Sequence, residues 1–239
     1  MTVRRDALAV WAALGAAAAL AWWLSVRPMA LMPGMAGMDT PLLPFLAMWT
    51  AMMAAMMLPA VAPVALLWSR AIRVQSPGLG GVWRLTQFVA GYLGAWSAAG
   101  VLAFGIVLAM ENQLTSPSAQ RALLAGVLLL AGIWQLTPLK ALCLRHCRSP
   151  FGFLALHAGR AGWFRDLRVG AHHGAWCLGC CWGLMLVLVV AGMMSVALMV
   201  GLTALVVAEK TLPNGERTGR VAGVLLLAAA PFAWVFGPA

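Results

Sequence analysis

All five cysteines and all four histidines of this 239-residue chain crowd into one stretch: Cys143, His146, Cys147, His157, His172, His173, Cys177, Cys180 and Cys181. Two tight groups bracket that stretch, Cys143-Leu-Arg-His146-Cys147 and Cys177-Leu-Gly-Cys180-Cys181. Cys-x-x-His and Cys-x-x-Cys spacings let two side chains reach one small ion without strain. The vicinal pair Cys180–Cys181 suits metal thiolates and thiol exchange equally. The structural alternative is a set of buried cysteines beside loop histidines. Random scatter would rarely gather every such residue in one place. In a reducing cytosol, free thiolates or a metal site are expected there rather than structural disulfides.

Methionine is the second anomaly, with 15 residues. Met29, Met32, Met35 and Met38 recur at every third position, and Met48, Met52, Met53, Met56 and Met57 follow closely. On a helix Met48, Met52 and Met56 stack on one face, with Met53 and Met57 beside them. Thioether sulfur is a neutral soft ligand that suits Cu(I) and discriminates against Mg and Ca. Methionine is equally a flexible filler of helix packing. Thioethers towards one face of a membrane and thiols at the other would form a gradient of rising Cu(I) affinity. Two separate sites with separate tasks fit the same pattern.

Other chemistries find little support. The chain has only 6 Asp and Glu. Asp39, Glu111 and Glu209 fall near the ends of apolar segments, which argues against a proton- or sodium-driven transporter with a mid-membrane carboxylate. Glu209 and Lys210 are neighbours and are expected to form a local ion pair. There is no Gly-x-x-x-x-Gly-Lys phosphate loop. Tyr92, the lone tyrosine, is expected to pack within its helix.

The elements that must position these ligands are membrane helices. The chain is 63% hydrophobic and 9% charged, too little charge to cover a soluble domain. Windows of about 20 apolar residues can each cross a bilayer as a helix. They run over 7–26, 45–68, 88–110, 122–136 and 221–236. The first resembles a signal peptide but is too long for a typical cleaved core, so it is read as a retained span. The region 175–208 carries no charge. As one helix it would be about 50 Å long, against about 30 Å of hydrocarbon. A hairpin turning near Gly192–Ser195 fits better. With a cytoplasmic N-terminus that hairpin puts fourteen of the 16 Lys and Arg inside, leaving only Arg27 and Arg121 outside, as the positive-inside rule demands. The expectation is an all-α polytopic transmembrane bundle in a bacterial inner membrane, with about seven spans, or six if the hairpin is one long helix. The net charge of +10 then marks cytoplasmic loops, not nucleic acid. Residues 138–174 read as a long basic cytoplasmic loop, with an interfacial amphipathic helix around Phe151–Leu167. Gly91, Gly94 and Gly100 would allow close helix contacts, including those of an oligomer.

Several strings carry a family resemblance: Met48-Trp-Thr-Ala-Met-Met-Ala-Ala-Met-Met-Leu-Pro59, Trp134-Gln-Leu-Thr-Pro-Leu-Lys-Ala-Leu-Cys143, Gly179-Cys-Cys-Trp182, Gly192-Met-Met194 and Glu209-Lys210. Together they resemble a bacterial family described as predicted metal-binding integral membrane proteins, a domain of unknown function. The resemblance implies membrane location and metal binding, and supplies neither substrate nor mechanism. A weaker similarity, Met-x-x-x-Met in the second span, is to eukaryotic copper importers. The expected function is handling of Cu(I), or another soft metal, by transport or by delivery for metalloprotein assembly. A metallochaperone or partner membrane protein would be its counterpart. The metal ligands expected are Met48, Met52, Met53, Met56 and Met57 in the bilayer, and Cys143, His146, Cys147, Cys177, Cys180 and Cys181 inside. The rivals are a thiol oxidoreductase and a structural scaffold.

Overall fold

The computed structural model describes residues 2–31, 41–76, 78–113, 116–149, 152, 162–193 and 195–236. The repeat through Met32, Met35 and Met38, the side chain of Met29, His157 and most of Phe151–Leu167 lie outside the described residues. Eight helices account for nearly all of the remainder: α1 (Thr2–Leu31), α2 (Leu42–Gln75), α3 (Leu79–Gln113), α4 (Pro117–Leu136), α5 (Pro138–Arg148), α6 (Arg165–Gly192), α7 (Val196–Thr211) and α8 (Gly215–Phe236). Among the described residues there is no strand.

Local chemistry sets the boundaries. Ser116, Thr137 and Ser195 cap α4, α5 and α7, each accepting a hydrogen bond from the backbone N–H three residues on (3.3, 3.2 and 3.3 Å). Pro117 and Pro138 occupy first-turn positions, where a missing N–H costs nothing. Gly192 ends α6 at φ 125°, a left-handed conformation that glycine adopts without a Cβ penalty. The charge-free region 175–208 is thus two helices joined by a tight turn, as the charges require.

Among the described residues, six helices are long and apolar enough to cross a membrane: α1, α2, α3, α4, α6 and α8. The chain is an all-α, multi-pass membrane bundle. The seventh apolar helix, α7, has 16 residues; at 1.5 Å per residue it reaches about 24 Å, short of the hydrocarbon thickness. Within the stretch read as a long loop, residues 138–148 form α5, and α6 already begins at Arg165. His172 and His173 therefore stand on a helix.

Long-range contacts give the helix directions. Trp49 Nε1 donates to the Trp96 carbonyl (2.8 Å) and Phe45 meets Phe104, so α2 and α3 are antiparallel. Arg84 pairs with Asp166 (2.7 Å), and Gly170 and Gly174 abut Phe88 and Tyr92, so α3 and α6 run parallel. Gly132 and Gly223 let α4 and α8 approach closely. The close approaches account for the glycines that seemed available for oligomer contacts. A Cβ on Gly91 would strike the Leu167 backbone, and one on Gly100 the Trp49 indole; only Gly94 faces open space.

The α3–α6 crossing yields a test. Gly170→Ala drives a Cβ into the Phe88 carbonyl and should lower stability by about 2 kcal/mol or more, read as a lower thermal midpoint in detergent. Gly126→Ala, with open space around it, should leave the midpoint unchanged or slightly raised.

Candidate metal centre

Positions 177, 180 and 181 share one face of a helix, because three and four residues both complete about one turn. That face of α6 points into the bundle. All three cysteines are buried, and their Sγ atoms lie within 4.8 Å of one another. Each lower-turn thiol is tied to the helix: Cys180 Sγ and Cys181 Sγ donate to the Cys177 carbonyl (3.1 and 2.8 Å). A fourth sulfur arrives from α5, where Cys147 Sγ is 3.8 Å from Cys180 Sγ. Cys143, one turn earlier on α5, is half-buried and lies over Gly179, where a Cβ would stand 2.9 Å from its Sγ. Burial and nearby Cys180 raise the Cys143 thiol above its ordinary pKa. Cys147 is raised well above its own, by the hydrogen bond with Cys180 and then by burial.

Bonds of about 2.3 Å from one ion to three thiolates put the sulfurs about 4 Å apart. The spacing here is close enough that small side-chain rotations would close the set around one ion. The ligand atoms on offer are all sulfur and all buried, which suits a soft ion.

Ion pairs hold α5 in place. Lys140 Nζ meets Glu209 Oε2 at 2.7 Å, and Gln135 Nε2 donates to Glu209 Oε1 at 2.8 Å. Lys140 and Glu209 are 2% and 1% exposed, so neither charge has water to fall back on. Arg148 donates to the carbonyls of Glu209, Leu212 and Pro213, satisfying the open end of α7. Arg145 pairs with Glu216 on α8 (2.9 Å). Room for the Lys140–Glu209 pair exists because position 219 is glycine; a Cβ there would stand 2.7 Å from Lys140 Nζ.

The expected pairing of Glu209 with Lys210 is corrected by this geometry. Neighbouring residues on a helix point about 100° apart. Glu209 turns to Lys140, whereas Lys210 Nζ reaches Cys177 Sγ at 2.8 Å. Tyr92 does more than pack: its Oη is 3.1 Å from the same sulfur. Neither Lys210 nor Tyr92 was singled out by spacing. The available signal was rarity, since the chain has one tyrosine and its lysines are Lys140 and Lys210 alone among 16 basic residues.

His146 stands apart from the thiols. Its ring stacks on Trp176 (centroids 4.0 Å, 3° between planes), with Nδ1 3.2 Å from the Leu142 carbonyl. It lines a cavity of about 400 Å³ with Arg145, Ser149, His172, His173 and Trp176. Residues 146 and 147 thus face different compartments, the cavity and the thiol group. Met52, Met53, Met56 and Met57 are fully buried and Met48 half-buried; they belong to the same continuous core as Cys147, Cys177, Cys180 and Cys181.

No curated protein and no solved structure matches this chain. A family does, in agreement with the metal-binding character of the thiol group. Residues 46–233, most of the chain, match PpoB2, described as a copper chaperone. The chain belongs to the PpoB2 copper chaperone family.

Proposed function

We propose that this protein binds Cu(I) at the thiols of Cys147, Cys177, Cys180 and Cys181 and releases it, from within the membrane, to a partner that assembles a copper protein. The observation that carries the reading is three buried thiols of α6 within 4.8 Å of one another, with a fourth, Cys147 of α5, 3.8 Å from Cys180. Cys143 borders the group and would steady or extend it. The positive-inside argument assigns this end of the bundle to the cytoplasm of a bacterial inner membrane. The cavity of His146, His172, His173 and Trp176 shares helices α5 and α6 with the thiol group. It would offer a route from the thiols towards a metallochaperone or a partner membrane protein. Met48, Met52, Met53, Met56 and Met57 would serve the opposite route, as thioether stations across the other half of α2.

A second reading has one observation in its favour. Cys147 and Cys180, at 3.8 Å, could close to a disulfide. Two protons and two electrons would then pass to a quinone or a protein disulfide. Peptide mapping of oxidant-treated protein separates the two readings; a Cys147–Cys180 crosslink formed in turnover with such an acceptor supports redox work.

Purified full-length protein should take up Cu(I) in competition with a chelator, and Cys180→Ser with Cys147→Ser should weaken uptake by about 100-fold or more, beyond the loss typical of outer-shell changes. Unaltered affinity in that double variant would remove the reading.

Because thiolates bind metal and thiols do not, loading must displace protons. With the Cys143 and Cys147 thiols raised above their ordinary range, they are neutral at pH 7. Apparent Cu(I) affinity should therefore fall in acid, by about tenfold per pH unit for each proton displaced. A flat profile between pH 6 and 8 would exclude thiolate ligation.

Met52→Leu with Met56→Leu is nearly volume-conserving and should leave folding and thiol-site affinity intact. Copper passage into proteoliposomes should drop severalfold. Passage at the wild-type rate would reduce these methionines to packing.

A further inference from the structure

Cysteine sulfur does not by itself choose copper, since zinc is held by the same ligand in many closed sites. What sets this group apart is a positive charge built into it. Lysine at the end of a membrane helix ordinarily extends its ammonium towards water. Lys210 instead turns its Nζ onto Cys177 Sγ at 2.8 Å, and Tyr92 Oη adds a neutral donor to the same sulfur at 3.1 Å. The carboxylate beside it in sequence does not cancel the charge. Glu209 is bound to Lys140 at 2.7 Å and to Gln135 at 2.8 Å. The nearby arginines are likewise engaged, Arg148 on backbone carbonyls and Arg145 on Glu216. Lys210 is therefore a net cation facing the thiols.

We propose that Lys210 is the specificity-determining residue of the thiol group, admitting singly charged soft ions such as Cu(I) and Ag(I) and disfavouring doubly charged ions such as Zn(II) and Cd(II). The argument is electrostatic. A fixed charge repels a bound cation in proportion to that cation's own charge, so the penalty doubles from a monovalent to a divalent ion. The site is sheltered from water, where such a difference is poorly screened. With two of the four thiols ionised on binding and the other two neutral, two thiolates, one monovalent ion and one ammonium sum to zero. A divalent ion on the same two thiolates leaves an excess positive charge in an apolar place, which is costly. The proposal deepens the copper reading given above and rests on it.

The test measures Cu(I), Ag(I), Zn(II) and Cd(II) affinities of the full-length protein in detergent, by chelator competition. Wild type is compared with Lys210→Arg, Lys210→Leu and Lys210→Gln. Arginine keeps the charge; glutamine keeps an N–H donor for Cys177 without it; leucine removes both and adds no sulfur ligand. Expected is a monovalent-to-divalent affinity ratio within about threefold of wild type for Lys210→Arg, and at least tenfold lower for both neutral variants. Lys210→Gln, or Lys210→Asn if glutamine does not fold, is the deciding variant, because it removes the charge and keeps an N–H donor. A ratio unmoved in a neutral variant that still binds Cu(I) overturns the proposal and leaves the copper reading standing. Wild-type protein that binds neither monovalent ion overturns both. A ratio lowered in Lys210→Leu but not in Lys210→Gln assigns the effect to the hydrogen bond and overturns the role of charge.

Discussion

The thiol group depends on a salt bridge that contains no sulfur. Lys140 and Glu209 meet at 2.7 Å between α5 and α7, and both are almost wholly withdrawn from solvent. A pair buried in this way contributes little net stability, yet removing one partner strands the other charge in an apolar medium. That asymmetry makes it a device for position. It fixes α5, a helix of 11 residues, against the bundle at the one height where Cys147 faces Cys180. Gly219 is part of the same device, since any side chain there would occupy the volume of the ammonium. Arg148 on the end of α7 and Arg145 on Glu216 add two further restraints on the same short helix. Three basic residues of α5 thus serve alignment, which leaves its two cysteines beside those of α6.

The rest of the bundle supplies a rigid wall for α5 to close against. Gly91, Gly170 and Gly174 let α3 and α6 touch backbone to backbone, and that contact brings Tyr92 within reach of Cys177. Trp134 Nε1 donates to the Gly179 carbonyl at 3.2 Å, pinning α4 on α6 between Cys177 and Cys180. The sulfurs therefore sit where four helices meet, and their spacing is set by backbone contacts and not by flexible side chains. A soft ion gains from such a setting, because thiolate bonds are strengthened where water cannot compete.

How much of this was legible in the sequence follows from helix phase. Apolar length marked the spans, and the length of the charge-free region with the positive-inside balance marked the hairpin at 192–195. The crowding of cysteines marked the thiol group, because residues three and four apart on one helix are neighbours without help from the fold. Partners that lie far apart in the chain were invisible. Glu209 and Lys210 look like a pair on paper and separate on a helix, one towards Lys140 and the other towards Cys177. His146 and Cys147 separate in the same way, so the Cys-x-x-His spacing that suggested one site divides between a thiol group and a cavity. Gly91 and Gly100 looked free for a second copy and are used up inside the protomer.

The divided environment around α5 bears on how a chaperone can both hold and release its cargo. A site buried enough to exclude water is also slow to exchange, unless some wall of it reaches solvent. Here that wall is narrow and chemically graded. Cys147 faces the thiols, His146 beside it faces the cavity, and Trp176 carries the imidazole stack one turn from Cys180. Imidazole is a weaker ligand for a soft ion than thiolate, so under the proposed function an ion leaving the thiols on this side would pass from tighter to looser ligands. The methionine face of α2 offers no such exit to water, because Met52, Met53, Met56 and Met57 are closed in by the core. Under the proposed function, exchange with soluble partners would run on the α5 side, and the helix aligned by the Lys140–Glu209 bridge would serve both holding and release.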